Sequence, residues 1–303
     1  MDSLLKQYQP TAAQASKATP RTLKWVRLTR SLKQTWRTLF PPKRPVAQIN
    51  LNHPPATVGQ IPTLYLHGFR GGDHTTNKLV LSAQKALNVD HFLKVFVDWR
   101  GRLTYEGSWP TERFPLLQII FKDKWMATDQ ISAWLGQILP KLQHTFGFSH
   151  YNAVGHSIAA TAIVQNAMAH SADRQFPQLN KLVMIAGPFN GVVALGDLPH
   201  TNPLDQHGRP RWAHPHYCAL LKKRQQFPLG VSVLNVYGNT EDGRDTDHYI
   251  TNNSSRSIGY ILAPKVQHYQ ELKIKGKAGE HSQLHDDDQV LAQINHFLFN
   301  SSN

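Results

Sequence analysis

Tyr151-Asn-Ala-Val-Gly155-His156-Ser157-Ile158-Ala159-Ala160 is the stretch from which the rest of the chain is read. A short apolar run leads into Gly155-His156-Ser157-Ile158-Ala159, and an alanine-rich, helix-compatible run follows. The pattern predicts a buried strand, a sharp turn and a helix. A serine at such a turn stands clear of the backbone with its hydroxyl exposed. Small residues two before and two after it let the strand and the helix pass close together. The motif most often reads G-x-S-x-G; here its last position is Ala159, which cannot adopt the strained backbone that glycine tolerates. The plainer reading of a serine in a polar turn is a turn residue or a helix cap.

Three other stretches bear on that choice. Ile61-Pro-Thr-Leu-Tyr-Leu-His67-Gly68-Phe69-Arg-Gly-Gly72 reads as a strand that stops at a glycine-rich loop. In a serine hydrolase such a loop supplies one backbone N–H of an oxyanion hole, and the residue after the serine supplies the other. That assigns the two donors to Phe69 and Ile158. Gly68 lets the loop fold close to a substrate, and His67 and His156, flanking the hole and the serine, read as supporting groups. Late in the chain, Lys277-Ala-Gly-Glu-His281-Ser-Gln-Leu-His285 lies just before a final helical run over 289–299. A loop histidine there, His281, reaches Ser157 as general base. Between the two, a strand-like run over 231–238 is followed by a loop holding Glu241, Asp242, Asp245 and Asp247. Serine, then acid, then histidine is the chain order of one of the known catalytic triads.

On these pieces the chain resembles the α/β-hydrolases. More narrowly it resembles a lipase/esterase-like group from Gram-positive bacteria known as cell surface hydrolases. The matching residues are Leu66-His-Gly-Phe-Arg-Gly-Gly72, Val154-Gly-His-Ser157, Gly187-Pro-Phe-Asn-Gly191, the run from Tyr237-Gly to Ser257 and Glu280-His-Ser-Gln-Leu284, so the likeness spans residues 60–300. In that group the acid falls in a Ser-Asp-Gly type turn ahead of a serine-rich helix start. Thr246-Asp247-His248 occupies that turn here and Ser254-Ser-Arg-Ser257 follows, so the resemblance implies Asp247 as the acid. The chain departs from the group at Ala159 and at His248, each in place of a glycine.

Composition bounds the answer. A chain of 303 residues accommodates one large α/β domain with a substantial core. The one cysteine, Cys218, excludes an internal disulfide, and no matched base or activating turn marks it as a nucleophile. No stretch approaches the roughly 18 apolar residues that span a bilayer, and no secretory apolar run follows Met1. The expected location is cytoplasmic, or peripheral at a membrane. The net charge of +13 is uneven: residues 1–50 hold ten Lys or Arg and one acid, which is +9. Residues 1–20 are polar and read as disordered. Over 21–40, Trp25, Leu28, Leu32, Trp36 and Leu39 recur on one helical face with basic residues opposite. Such an amphipathic helix suits an anionic membrane surface, or packs its Trp stripe on the hydrolase body. A transit peptide ranks third; nucleic-acid binding ranks last, with no aromatic and basic groove motif beside it.

The domain boundary is expected at 47/48. From there strands over 63–69, 92–99, 151–155, 182–187, 231–237 and 266–274 alternate with helices over 74–87, 125–146 and 158–170. This implies α/β architecture: a mostly parallel, twisted sheet with helices on both faces and the functional loops at the carboxyl ends of the strands. Two insertions break the rhythm, residues 100–121 and residues 192–230, and the second reads as a lid lining an acyl or alcohol pocket. The expected function is a carboxylesterase or lipase-like enzyme acting on a small-molecule or lipid ester through an acyl-enzyme on Ser157, with no cofactor. The competing classes are a binding protein on a hydrolase fold, which Ala159 favours, and acyl transfer or amide hydrolysis by the same triad. His285 with Asp286–Asp288, the acid loop, and His214-x-His216-x-Cys218 each lack a complete ligand set at a recognised spacing, so no metal is expected.

Overall fold

A computed structural model describes residues 59–300. The basic segment 1–47, its helix over 21–40 and the boundary at 47/48 lie outside the described residues.

The inner strands of the sheet are largely apolar, as expected when both faces are buried, and its two edge strands are mixed in character and at most half-buried. In chain order the strands begin with β1 (Thr63–Leu66), β2 (Leu93–Val97), β3 (Leu103–Gly107), β4 (Leu116–Phe121), β5 (His150–His156) and β6 (Gln178–Ile185). After two short strands β7 (Val192–Val193) and β8 (Gly196–Asp197) come β9 (Ser232–Asn239) and β10 (His268–Lys275). Eight of them form one sheet in the order β10-β9-β6-β5-β1-β4-β2-β3, parallel except where the edge strand β3 runs against β2. The helices are α1 (Asp73–Leu87), α2 (Thr128–Phe146), α3 (Ile158–His170), α4 (Pro215–Lys222), α5 (Asn252–Arg256), α6 (Ile258–Leu262) and α7 (Asp288–Phe299).

Alternating side chains feed two cores. Leu64 and Leu66 of β1, with Leu182 and Met184 of β6, join one core that includes Trp134 and Ile138 of α2 and Ile163 of α3. Tyr65, Val183 and Ile185 face the other, with Leu79 and Val80 of α1 and Val290, Leu291 and Ile294 of α7. Helices thus cover both faces. Local chemistry ends them. Asn88 closes α1 in the left-handed conformation, φ 54°, and Gly147 closes α2 at φ 73°. The Asp287 carboxylate caps α7 by accepting from the N–H groups of Gln289 and Val290.

Residues 100–121 are not an insertion in this architecture. They hold the edge strand β3 and the central strand β4, which pairs with β1 on one side and β2 on the other. All six residues of β4 are buried. Its one polar member, Gln118, is satisfied at its amide nitrogen by Asp73 O, Thr76 Oγ1 and Asn77 Oδ1. Residues 192–230 carry β7, β8 and α4, and Tyr217, Leu220 and Phe227 from the second half of this segment enter the large core.

Candidate active site

Ser157 sits between β5 and α3 with φ 57° and ψ −131°, a conformation that costs a non-glycine residue about 1–3 kcal/mol. The surroundings hold it there. Ser157 N–H donates to Ile185 O at 2.8 Å, and the Ala160 N–H to Ser157 O at 3.0 Å. A Cβ on Gly155 would lie 2.7 Å from Ala160 N and from Ile163 Cδ1, so the strand passes the helix at glycine distance. Ala159, fully buried, lies within α3 and is absent from the residues of positive φ. The strain of the elbow therefore falls on Ser157, and the expectation that Ala159 lacks a backbone freedom it needs is corrected: a helical position asks for none.

The histidine and the acid meet across two loops. The His281 Nδ1–H donates to Asp247 Oδ2 at 2.8 Å. The loops are also joined through backbone, His281 N–H donating to Asp247 O at 3.0 Å. Asp247 Oδ1 accepts from the N–H groups of Tyr249 and Ile250 at 2.9 and 2.7 Å, so the buried carboxylate is held by three donors. The other acids of the loop are engaged elsewhere. Asp242 binds Arg244, which brings its carboxyl down to about 2, Asp245 accepts from Asn239, and Glu241 faces Lys275. His248, in place of the turn glycine, takes φ 83°.

His156 precedes Ser157 in the chain and packs against His281. Its ring lies 4.6 Å from that of His281, and its Nε2–H donates to His281 O at 3.1 Å. His285 lies 4.6 Å from His156 on another side and bonds Asp286 through Nδ1. Burial holds the His156 imidazole well below its ordinary value, aided by His281 and His285, and lowers that of His285 as well. Among the described residues Ser157 Oγ has no hydrogen-bond partner.

The glycine-rich loop lies against the serine. A Cβ on Gly68 would stand 2.8 Å from Ser157 Cβ and 2.9 Å from His156 O. No backbone or side-chain acceptor among the described residues takes the N–H of Phe69 or of Ile158. His67 is fully buried and both its ring nitrogens are used: Nε2 accepts from Phe121 N–H at 3.0 Å, so Nδ1 carries the proton given to Gly68 O at 2.9 Å. Burial lowers its pKa, and the neutral ring ties the end of β1 to the end of β4.

Sequence reasoning missed the aromatic rim. Phe69 meets Trp125 edge-on at 5.6 Å between ring centroids, and Tyr249 lies 5.2 Å from His281. All three rim side chains are exposed. Position relative to strand ends is the signal that finds them, since each follows the carboxyl end of a parallel strand. A cavity of about 160 Å³ beside the acid loop, lined by Arg244, Arg256 and Lys273 among others, does not border Ser157. Among the described residues no group of three or more His, Cys, Asp or Glu side chains is placed to hold a metal ion.

The sheet order and the strained elbow define an α/β-hydrolase fold. The chain belongs to the family described as "Alpha/beta hydrolase of unknown function" (DUF915), which matches residues 53–301. It is similar in structure to the product of the gene lin2722 of Listeria innocua, with a TM-score of 0.71 at 22% identity over 80% of this chain and 96% of that one. It is also similar to a protein described as a cell surface hydrolase from Lactobacillus plantarum WCFS1, with a TM-score of 0.65 at 20% identity over 82% of this chain and 94% of that one. At these identities the likeness establishes the fold. No curated protein matches the chain.

Proposed function

We propose that the chain is a serine hydrolase, a carboxylesterase or lipase-like enzyme that cleaves carboxylic esters through an acyl-enzyme on Ser157. The observation that carries this reading is a serine held at positive φ on a strand-to-helix turn, whose chain neighbour His156 lies 4.6 Å from His281, the histidine that gives its Nδ1–H to a buried carboxylate 2.8 Å away. Such strain persists only where surrounding structure enforces it, and it clusters at functional sites.

Ser157 Oγ attacks the ester carbonyl carbon as its proton passes to His281 Nε2. The carbonyl oxygen becomes an oxyanion and accepts from the N–H groups of Phe69 and Ile158, at roughly 3 kcal/mol per donor in comparable sites. The carbon–oxygen bond to the alcohol breaks, and His281 returns the proton to the leaving oxygen. Water then attacks the acyl-enzyme by the same route and releases the acid. Asp247 holds the imidazole with its proton on Nδ1 and stabilises the imidazolium. Phe69, Trp125 and Tyr249 offer apolar surface for the acyl or alcohol part, and the first part of the segment 192–230 meets it where Val193 N–H donates to Tyr249 O.

The test is hydrolysis of p-nitrophenyl esters from acetate to palmitate by the wild type and Ser157→Ala. Turnover that disappears with Ser157→Ala, and labelling of Ser157 by an active-site phosphonate, are the expected results. Equal turnover by Ser157→Ala would end the proposal.

A further inference from the structure

The carboxyl edge of the sheet carries a row of exposed aromatic side chains, each with a basic side chain over it. Trp99 follows β2 and lies 4.3 Å beneath the Arg100 guanidinium. Trp125 follows β4 and lies 5.2 Å beneath that of Arg70, which itself follows β1. Trp212, whose carbonyl is held by Asn190 beyond β6, has Arg211 at 4.7 Å. These three Trp are 65%, 71% and 58% exposed. In the sheet, β2, β4 and β1 are consecutive neighbours leading to β5, which ends at the elbow. At about 4.8 Å per strand the row therefore runs about 14 Å and stops at Ser157. Trp212 lies beyond it, on the β6 side.

Scattered exposed apolar residues are ordinary; exposed tryptophans after neighbouring strands on the edge that ends at Ser157 are not. The ends of β2, β4 and β1 are bonded together by Lys122 N–H to Val97 O and Arg70 N–H to Lys124 O, so the row is built on a fixed base. Charge names the partner. The loops after β1, β2 and β4 carry Arg70, Arg100, Arg102, Lys122 and Lys124 against Asp98 and Asp123. Arg102 pairs with Asp98, and Arg70, Arg100, Lys122 and Lys124 are exposed, so cations outnumber carboxylates at this edge. Tryptophan prefers the boundary of water and lipid, and basic groups beside it are drawn to anionic headgroups. No described helix is long and apolar enough to cross a membrane.

From this we infer that the carboxyl edge docks on an anionic lipid bilayer and presents Ser157 to esters held in that bilayer. The inference deepens the hydrolase reading and rests on it for the second half of the statement.

The experiment is co-sedimentation of the full chain with vesicles of phosphatidylcholine, with and without phosphatidylglycerol. Trp99→Ser/Arg100→Ala/Lys122→Ala is compared with the wild type, and soluble p-nitrophenyl acetate is the control substrate. These three residues lie outside the catalytic groups and are exposed in their loops. The wild type is expected to sediment with the anionic vesicles and to be released by salt. One basic residue at an anionic surface is worth about fivefold, so loss of two lowers partitioning about thirtyfold, and loss of Trp99 lowers it further. Turnover of the soluble ester is expected to stay unchanged. Equal sedimentation of variant and wild type would overturn the inference and assign binding to another part of the chain. Equal affinity for vesicles lacking phosphatidylglycerol, or retention by soluble polyphosphate with none by vesicles, would overturn it too. Loss of soluble-ester turnover in both proteins, with the vesicle difference intact, would instead remove the hydrolase reading alone.

Discussion

Asp247→Asn separates the two jobs of this carboxylate. Oδ1 accepts two backbone N–H groups, from Tyr249 and Ile250, and Oδ2 accepts the His281 Nδ1–H. In the asparagine variant the carbonyl oxygen must take the Oδ1 position, because an amide NH2 there would face two donors. The NH2 then faces His281 Nδ1 and requires a lone pair on it, so the imidazole proton moves to Nε2 and the ring can no longer accept a proton from Ser157. A wrong tautomer of this kind costs roughly 10⁴ in kcat, or about 5.5 kcal/mol of transition-state stabilisation. Two of the three hydrogen bonds survive, so the loss of folding stability is expected at about 1–2 kcal/mol. The assay pairs steady-state hydrolysis of p-nitrophenyl butyrate with a thermal melt. Asp242→Asn is the control, since its carboxylate is bound to Arg244 at the surface and a substitution there is worth about twofold at most. More than about a tenth of wild-type kcat in Asp247→Asn, or a larger loss in Asp242→Asn, would refute the assignment.

Three further outcomes follow from the packing. His67, His156 and His285 are buried with their pKa values lowered mainly by desolvation. Each binds its proton more readily unfolded, at about 6.5, than folded, so stability is complete above that pH and falls as the pH drops below it toward the folded values. From pH 7.5 to 5.5 the urea midpoint is therefore expected to fall; a flat or rising profile would contradict it. Gly68→Ala places a Cβ 2.8 Å from Ser157 Cβ and 2.9 Å from a backbone oxygen, neither of which is the free end of a side chain. The nucleophile or the loop must shift, and kcat is expected to fall roughly 10²-fold, since a displacement of about 1 Å costs that much; retention of full activity would count against an oxyanion hole at this loop. Ala159→Gly is expected to lose about 1 kcal/mol of stability as an ordinary helix substitution, with kcat within about twofold. A severalfold rise in kcat would mean that the elbow is strained at Ala159 after all.

The parts of the fold legible in the sequence are those governed by local pattern. The run ending at Ser157 and the alanine-rich run after it are adjacent along the chain, and β5 and α3 form where their pattern puts them. The strand β4 was not legible as a central strand. It is preceded by Gly101, Gly107, Trp109 and Pro110, which read as loop, and the edge strand β3 is only half-buried along most of its length. Whether the six residues of β4 are core or insertion depends on partners about 25 to 50 residues away in β2 and β1, and that information is not local.

The site divides along the same line. Ser157 and the glycine-rich loop are single local motifs with a geometric consequence. The acid is different: four carboxylates within seven residues share one composition. What separates Asp247 from Asp242 is a backbone bond from His281 N–H, 34 residues on, together with the turn that directs the Tyr249 and Ile250 N–H groups at Oδ1. The resemblance singles out Asp247 by its turn rather than by residue type, and of the four carboxylates it is the one that bonds His281. The Ala159 reading went astray for the converse reason. It treated the whole pentapeptide as strained, whereas the strain is confined to the one residue that must turn the chain. Once α3 has begun, position 159 requires only a small side chain against β5, and a methyl group fills that space with better helix propensity than glycine has. Departure from a motif is informative only at the position where the motif's physical demand falls.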